Sequence, residues 1–194
     1  MIKPGFTMVN PQTRMRTVVT ETDEETDATG FSLEVTCEAG MGPSILEHFH
    51  ESWTETFEIL SGSAQYQLGG KLLKAAVGET VTMPPGVPHV HPWAAGDGPM
   101  VYRQISTFAT PSREAVQDTL GSFATVNGLA LEGKVNAEGL PSNPLQLAAT
   151  MRTLGKHGGY STRLPVAAQK LLSATLGRLA EAAGYRAVYA KYGS

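Results

Sequence analysis

His48 and His50 stand two residues apart in the stretch GPSILEHFHESWTETFEILSG, and Glu55 follows after four intervening residues. Side chains alternate between the two faces of a strand, so both imidazoles project to the same side. A second stretch, GETVTMPPGVPHVHPW, brings His89 in behind a Pro-Pro-Gly turn. Three imidazoles and one carboxylate make a donor set for a divalent transition metal. Four of the five histidines (His48, His50, His89, His91) fall within 44 residues of a segment that otherwise reads as buried strand. Imidazoles crowded into one interior without partners carry a desolvation cost, which a shared cation relieves by accepting their lone pairs. The expected metal ligands are His48, His50, Glu55 and His89.

Two further groups are expected to serve catalysis. Glu51 sits in the loop beside His50, placed to face a substrate. His91 shares parity with His89 and suits proton transfer, because imidazoles titrate near neutrality. Glu58 has the opposite strand parity from Glu55 and should face away. Three neutral imidazoles and a carboxylate leave a divalent site with a formal charge of about +1, suited to an anionic oxygen ligand. Fe(II) is the first choice of metal, with Mn, Ni, Cu and Zn as the other candidates. Phe57 and Ile59 share the parity of Glu55, and with Tyr66, Val81 and Met83 they are expected to wall a mostly apolar small-molecule pocket. No Lys/Arg cluster accompanies the donors, which counts against a sugar-phosphate substrate.

Both stretches resemble the two signature motifs of the cupin β-barrels. Gly42, His48, His50, Glu55 and Gly62 fit the first motif at every spacing. Gly78, Pro84, Gly86 and His89 fit the second, with Trp93 where Asn is usual; that Asn is not a ligand in the family pattern. The resemblance covers roughly residues 30 to 110. It implies a jelly-roll-like antiparallel barrel, a bound metal, a homodimer, and dioxygenase, isomerase or lyase activity. A fold does not choose among these. We expect a dioxygenase-like oxidoreductase acting on a small enolic or aromatic substrate that chelates the metal beside O₂. A cupin isomerase or lyase, or a non-catalytic small-molecule-binding or sensing cupin, is the competing reading.

The elements that must position these side chains follow from punctuation. Residues 1–15 read as an extended arm broken by Pro4, Gly5 and Pro11. Residues 16–38 read as a hairpin around DATG, and the five acids between Glu21 and Asp27 as a solvated strand end or loop. From Phe31 to Ile105, short strands alternate with Gly and Pro breaks, and Gly69–Gly70 suits a tight hairpin. After about Thr110 the pattern turns helical, with a start at Thr110–Ser112, a helix from Leu145 to Leu154, a loop over Gly155 to Gly159, and the longest helix from Leu164 to Ala183. That last helix has a narrow polar stripe (Lys170, Arg178, Glu181) and a broad apolar face expected to be buried on the barrel or a dimer partner. The chain therefore divides into a cupin barrel with its N-terminal arm, 1–110, and a helical extension, 111–194. The fold class is mainly β with a C-terminal α-helical extension.

Composition sets the remaining bounds. The 194 residues are 41% hydrophobic and 17% charged, as in ordinary globular domains. The net charge of -3 splits into 6 Lys+Arg against 13 Asp+Glu in residues 1–110 and 9 against 5 thereafter, so the two parts attract. So mild a net charge argues for neither nucleic acid nor a membrane surface as partner. A lone cysteine, Cys37, excludes an intramolecular disulfide. No apolar run is long enough for a signal peptide or a membrane span, so the expected location is cytoplasmic and the expected partners are a small-molecule substrate and a second copy of the chain.

Overall fold

The computed structural model describes residues 1–43 and 45–193. The strands are β1 (Thr7–Asn10), β2 (Met15–Glu21), β3 (Gly30–Cys37), β4 (His48–His50), β5 (Trp53–Ser61), β6 (Ser63–Leu68), β7 (Lys71–Ala76), β8 (Thr80–Met83), β9 (His89–Ala94) and β10 (Met100–Phe108). There follow α1 (Arg113–Leu131), α2 (Pro144–Lys156), β11 (Gly159–Ser161), α3 (Val166–Leu172) and α4 (Arg178–Ala182), the last two joined through a π-helical turn at Ser173–Gly177. Among the described residues the strands form a six-stranded sheet, β1-β2-β3-β10-β5-β8, and a five-stranded sheet, β11-β4-β9-β6-β7. Every pairing between these strands is antiparallel.

Alternation along β5 and β10 decides what faces inward. Trp53, Glu55, Phe57 and Ile59 are buried while the residues between them are partly open, and Met100, Tyr102, Gln104, Ser106 and Phe108 do the same on β10. Register then sets Ser106 opposite Glu55, Gln104 opposite Phe57 and Tyr102 opposite Ile59. The β6–β7 hairpin closes through Gly69 and Gly70 at φ of 56° and 75°, the left-handed pair that a two-residue turn needs. Trp53 stacks on Phe108 with ring centres 4.8 Å apart, closing the barrel end next to the helices.

Several expectations change. The N-terminal arm contributes β1, which pairs with β2, and Ile2 is buried with its backbone N–H donating to Gln117 of α1 at 3.0 Å. The acidic run is not wholly solvated: Asp23 is buried, accepts a hydrogen bond from Gln117 and pairs with Arg113 at 3.2 Å. The longest α-helix is α1, of 19 residues, not the segment from Leu164 to Ala183. α1 begins as expected, capped by the Ser112 side chain, which accepts from the N–H of Ala115.

The last helical segment docks by its polar side. Lys170 lies 3.5 Å from Glu51, Glu181 pairs with Arg152 at 3.1 Å, and Gly177 and Ala180 are the buried positions. Small residues permit that close approach: a Cβ on Gly177 would sit 2.8 Å from Arg152 Cδ. Leu171 and Leu179 therefore point outward, 65% and 59% exposed, and the apolar face is not buried within the chain. The expected loop over Gly155 to Gly159 is also shorter, because α2 runs to Lys156 and Gly159 opens β11. β11 pairs with β4 through Gly159–His50, Tyr160–Phe49 and Ser161–His48. Among the described residues no helix is long and apolar enough to cross a membrane.

Candidate metal centre

The two sheets contribute different chemistry to one point. β4 and β9 carry four imidazoles, with His48 directly opposite His89 in the register. The facing sheet carries Glu55 on β5 and two of its hydrogen-bond donors on β10. Gln104 Nε2 donates to Glu55 Oε1 at 2.7 Å and the Ser106 hydroxyl donates to the same atom at 3.2 Å. Oε1 is thereby occupied by the protein, and Oε2 is the oxygen turned toward the imidazoles. It lies 2.8 Å from His91 Nε2, 3.2 Å from His89 Nε2 and 3.8 Å from His50 Nδ1. His48, Glu55, His89 and His91 each offer a ligand atom within 4.8 Å of all the others.

Backbone carbonyls fix the protons on two rings. His48 Nδ1 lies 2.8 Å from Leu46 O, and His89 Nδ1 2.8 Å from Val87 O. A carbonyl only accepts, so Nδ1 carries the proton in both rings, and the lone pair of each neutral ring is at Nε2. His89 Nε2 then faces Glu55 Oε2, acceptor against acceptor, at 3.2 Å. Such a pair repels unless a proton or a metal ion lies between the two atoms. Donors bound at right angles to one ion at about 2.1 Å are about 3 Å apart, so the spacing suits a shared ion. His50 Nδ1 and His91 Nδ1 are buried without a hydrogen-bond partner, further polar groups that protein alone leaves unanswered.

Burial also sets the charge states. It pulls His48 well below the usual imidazole range, helped by the neighbouring His91 and His50, and takes His50 down to about 4 against the opposing pull of Glu55. Both rings are neutral near pH 7 and have lone pairs to give. For Glu55 burial favours the acid form, but the surrounding imidazoles, His91 and His50 foremost, outweigh it and hold the carboxyl well below its ordinary range. Neutral His48 and His50 beside an ionised Glu55 have the protonation states that metal binding requires.

Of the six residues expected to do chemistry, the structure gathers His48, Glu55, His89 and His91 within ligand reach of one another and sets His50 beside them, its Nδ1 3.8 Å from Glu55 Oε2. Glu51 is the exception. It is exposed at the start of the β4–β5 turn, its N–H donates to Gly158 O at 2.8 Å, and its carboxylate turns toward Lys170. There it lines a different cavity of about 840 Å³ between the barrel rim and the helices, with Asp118, Arg152, Lys156, His157 and Lys170. The apolar residues expected to wall a pocket are core instead, since Phe57, Ile59 and Met83 are all 0% exposed. The sequence alone does not say whether Gln104 or Arg103 faces inward, and it gives no sign of Ser106 as a support for Glu55. The positions of Gln104 and Ser106 on alternate residues of β10 were visible, but which face was inward depends on the register with β5.

Residues 35–108 match the family model described as a cupin domain. No curated protein matches the chain. Among solved structures, a predicted oxalate decarboxylase from Thermotoga maritima is 17% identical with a TM-score of 0.46, covering 55% of this chain and 93% of that one. A cupin-like protein from the same organism is 24% identical, with a TM-score of 0.42 and coverage of 55% and 78%. KdgF from Halomonas sp. is 13% identical, with a TM-score of 0.42 and coverage of 51% and 80%.

Proposed function

We propose that this chain, whose residues 35–108 match the cupin-domain family model, is a metal-dependent enzyme, a dioxygenase-type oxidoreductase acting on a small enolic or aromatic molecule. The observation that carries this reading is the approach of His89 Nε2 to Glu55 Oε2 at 3.2 Å, with the Nδ1 proton of His89 already given to Val87 O. His48, His50, Glu55 and His89 would hold the ion, Fe(II) being the first choice among the metals that accept imidazole and carboxylate donors. When bound, the ion supplies Lewis acidity toward an anionic oxygen and a place for O₂ chemistry.

The chain's own residues do the rest. Gln104 and Ser106 fix the Glu55 carboxylate from behind, and Leu46 O and Val87 O fix two imidazoles in rotation, so the donors are held before a ligand arrives. The packed layer of Phe57, Ile59, Met83 and Tyr102 below Glu55 excludes water from the barrel interior. In this set His48 alone is only partly buried, so a substrate reaches the centre from the side of that ring. Glu51 receives no role in this scheme, because its carboxylate lies outside the cluster.

Protein purified without chelator should contain about one equivalent of a transition metal by elemental analysis. Reloaded with Fe(II) without air, it should consume O₂ with a member of a panel of enols and catechols, in step with substrate loss. Failure to retain any metal, or no turnover across the panel, would overturn the proposal; substrate loss without O₂ uptake would move the assignment to an isomerase or lyase. The same reading includes a homodimer. Leu164, Leu171, Leu172 and Leu179 are exposed on the last helical segment, an apolar surface that a second copy would cover. Sedimentation should then give twice the chain mass, and Leu171→Glu should return the protein to a monomer.

A further inference from the structure

Resting on the metal-centre reading above, we infer that His91 is itself a metal donor, so that the centre is built from four imidazoles and one carboxylate rather than three and one. His91 stands outside the nine-position motif pattern, yet it belongs to the tight group His48, Glu55, His89, His91, whose ligand atoms lie within 4.8 Å of one another. His50 is not in that group; its ring packs on Trp53 with centres 3.9 Å apart and reaches Glu55 Oε2 only at 3.8 Å. His91 Nε2 lies at 2.8 Å from the same oxygen.

The ring positions agree with one common point. Imidazoles bound at right angles to a single ion have ring centres about 4.5 Å apart, given bonds of about 2.1 Å. The observed separations are 4.5 Å for His48–His89, 4.8 Å for His48–His91, 5.0 Å for His48–His50 and 5.1 Å for His50–His89. His89 and His91 lie nearly parallel, 9° apart in plane at 5.8 Å, and both present Nε2 to Glu55 Oε2. Strand alternation explains this directly. Residues two apart on β9 point the same way, and β9 is buried along its whole length, so neither ring can turn out to solvent.

The donor count limits what the centre can take. Five protein donors would leave a six-coordinate ion one further place, so the substrate class becomes a molecule that binds through a single anionic oxygen, an enolate or monodentate carboxylate, rather than a two-oxygen chelate. O₂ would then meet the activated substrate rather than a second place on the ion. A chelating catechol would have to displace a protein ligand.

The test counts imidazoles on full-length protein loaded with Cu(II), by pulsed electron paramagnetic resonance with ¹⁵N-histidine labelling. The inference expects four imidazole nitrogens in the unaltered protein, three in His91→Leu, and metal affinity at least about tenfold weaker in that variant. Three nitrogens in the unaltered protein, or a count and affinity unmoved by His91→Leu, would overturn it. The unaltered protein alone gives the count, so the result stands even where the variant fails to fold. Absence of any bound Cu(II), Fe(II) or Zn(II) would instead sink the metal-centre reading on which this rests.

Discussion

Glu55→Gln should abolish tight metal binding while leaving the barrel folded. Gln keeps the shape of the side chain and removes its charge. The substitution leaves an ion of charge two among neutral imidazoles with nothing to offset it, inside a site where Glu55 is 1% exposed. Removing one partner of a buried charge pair typically costs 3–5 kcal/mol, which is roughly a 10²–10⁴-fold loss of affinity. Competition against a coloured chelator measures it. The metal-free variant should melt below the metal-free parent at neutral pH, because the surroundings favour the ionised carboxylate that has gone, and the rise in melting temperature on adding metal should vanish. Retention of parental affinity by Glu55→Gln would show that the carboxylate is not a ligand.

Gly30→Ala should cost the fold itself. Gly30 opens β3 opposite Thr107 of β10, and a Cβ built there would stand only 1.9 Å from the backbone oxygen of Ser106. A backbone atom in a central strand cannot turn aside as a side chain can. β3 must separate from β10, breaking ladder hydrogen bonds and moving the Ser106 hydroxyl away from Glu55 Oε1. Overpacking of this kind costs about 3 kcal/mol or more when backbone must shift. The comparison is Gly70→Ala, where the space is open and only the left-handed φ of 75° is strained, at about 1 kcal/mol. Urea melts of the pair read the difference. Equal midpoints for the two variants would mean that the strands are not held as closely as described.

The proposed donors were legible as candidates in the sequence because each depends on local rules: His48 and His50 share a strand face, a turn of Pro and Gly delivers His89, and Glu55 falls at a fixed remove. Even the inward turn of His91 followed from its parity with His89. Properties that depend on pairing between distant segments were not legible. Whether Gln104 or Arg103 faced the interior was settled by the register of β10 on β5. Phe57, Ile59 and Met83 were read as pocket walls because parity gives direction but not free volume, and the barrel turns out to be filled at that level. The leucines of the last helical segment misled for a related reason. Amphipathicity shows which face is apolar, but the helix docked where Gly177 and Ala180 allowed close approach and where Glu51 and Arg152 offered ion pairs. β11 is three residues long beside a run of glycines, too short for any periodic signal.

That short strand has a bearing on how the chain is made. As the polypeptide leaves the ribosome, every proposed donor has emerged once His91 is clear, yet the outer edge of β4 stays bare until Gly159–Ser161 arrive to pair with it. An uncovered edge beside two imidazoles is open to pairing with a neighbouring nascent chain. Maturation of the centre is thereby tied to the synthesis of Gly159–Ser161, and a product ending short of Gly159 would own the full set of proposed ligands without the cover that completes their sheet.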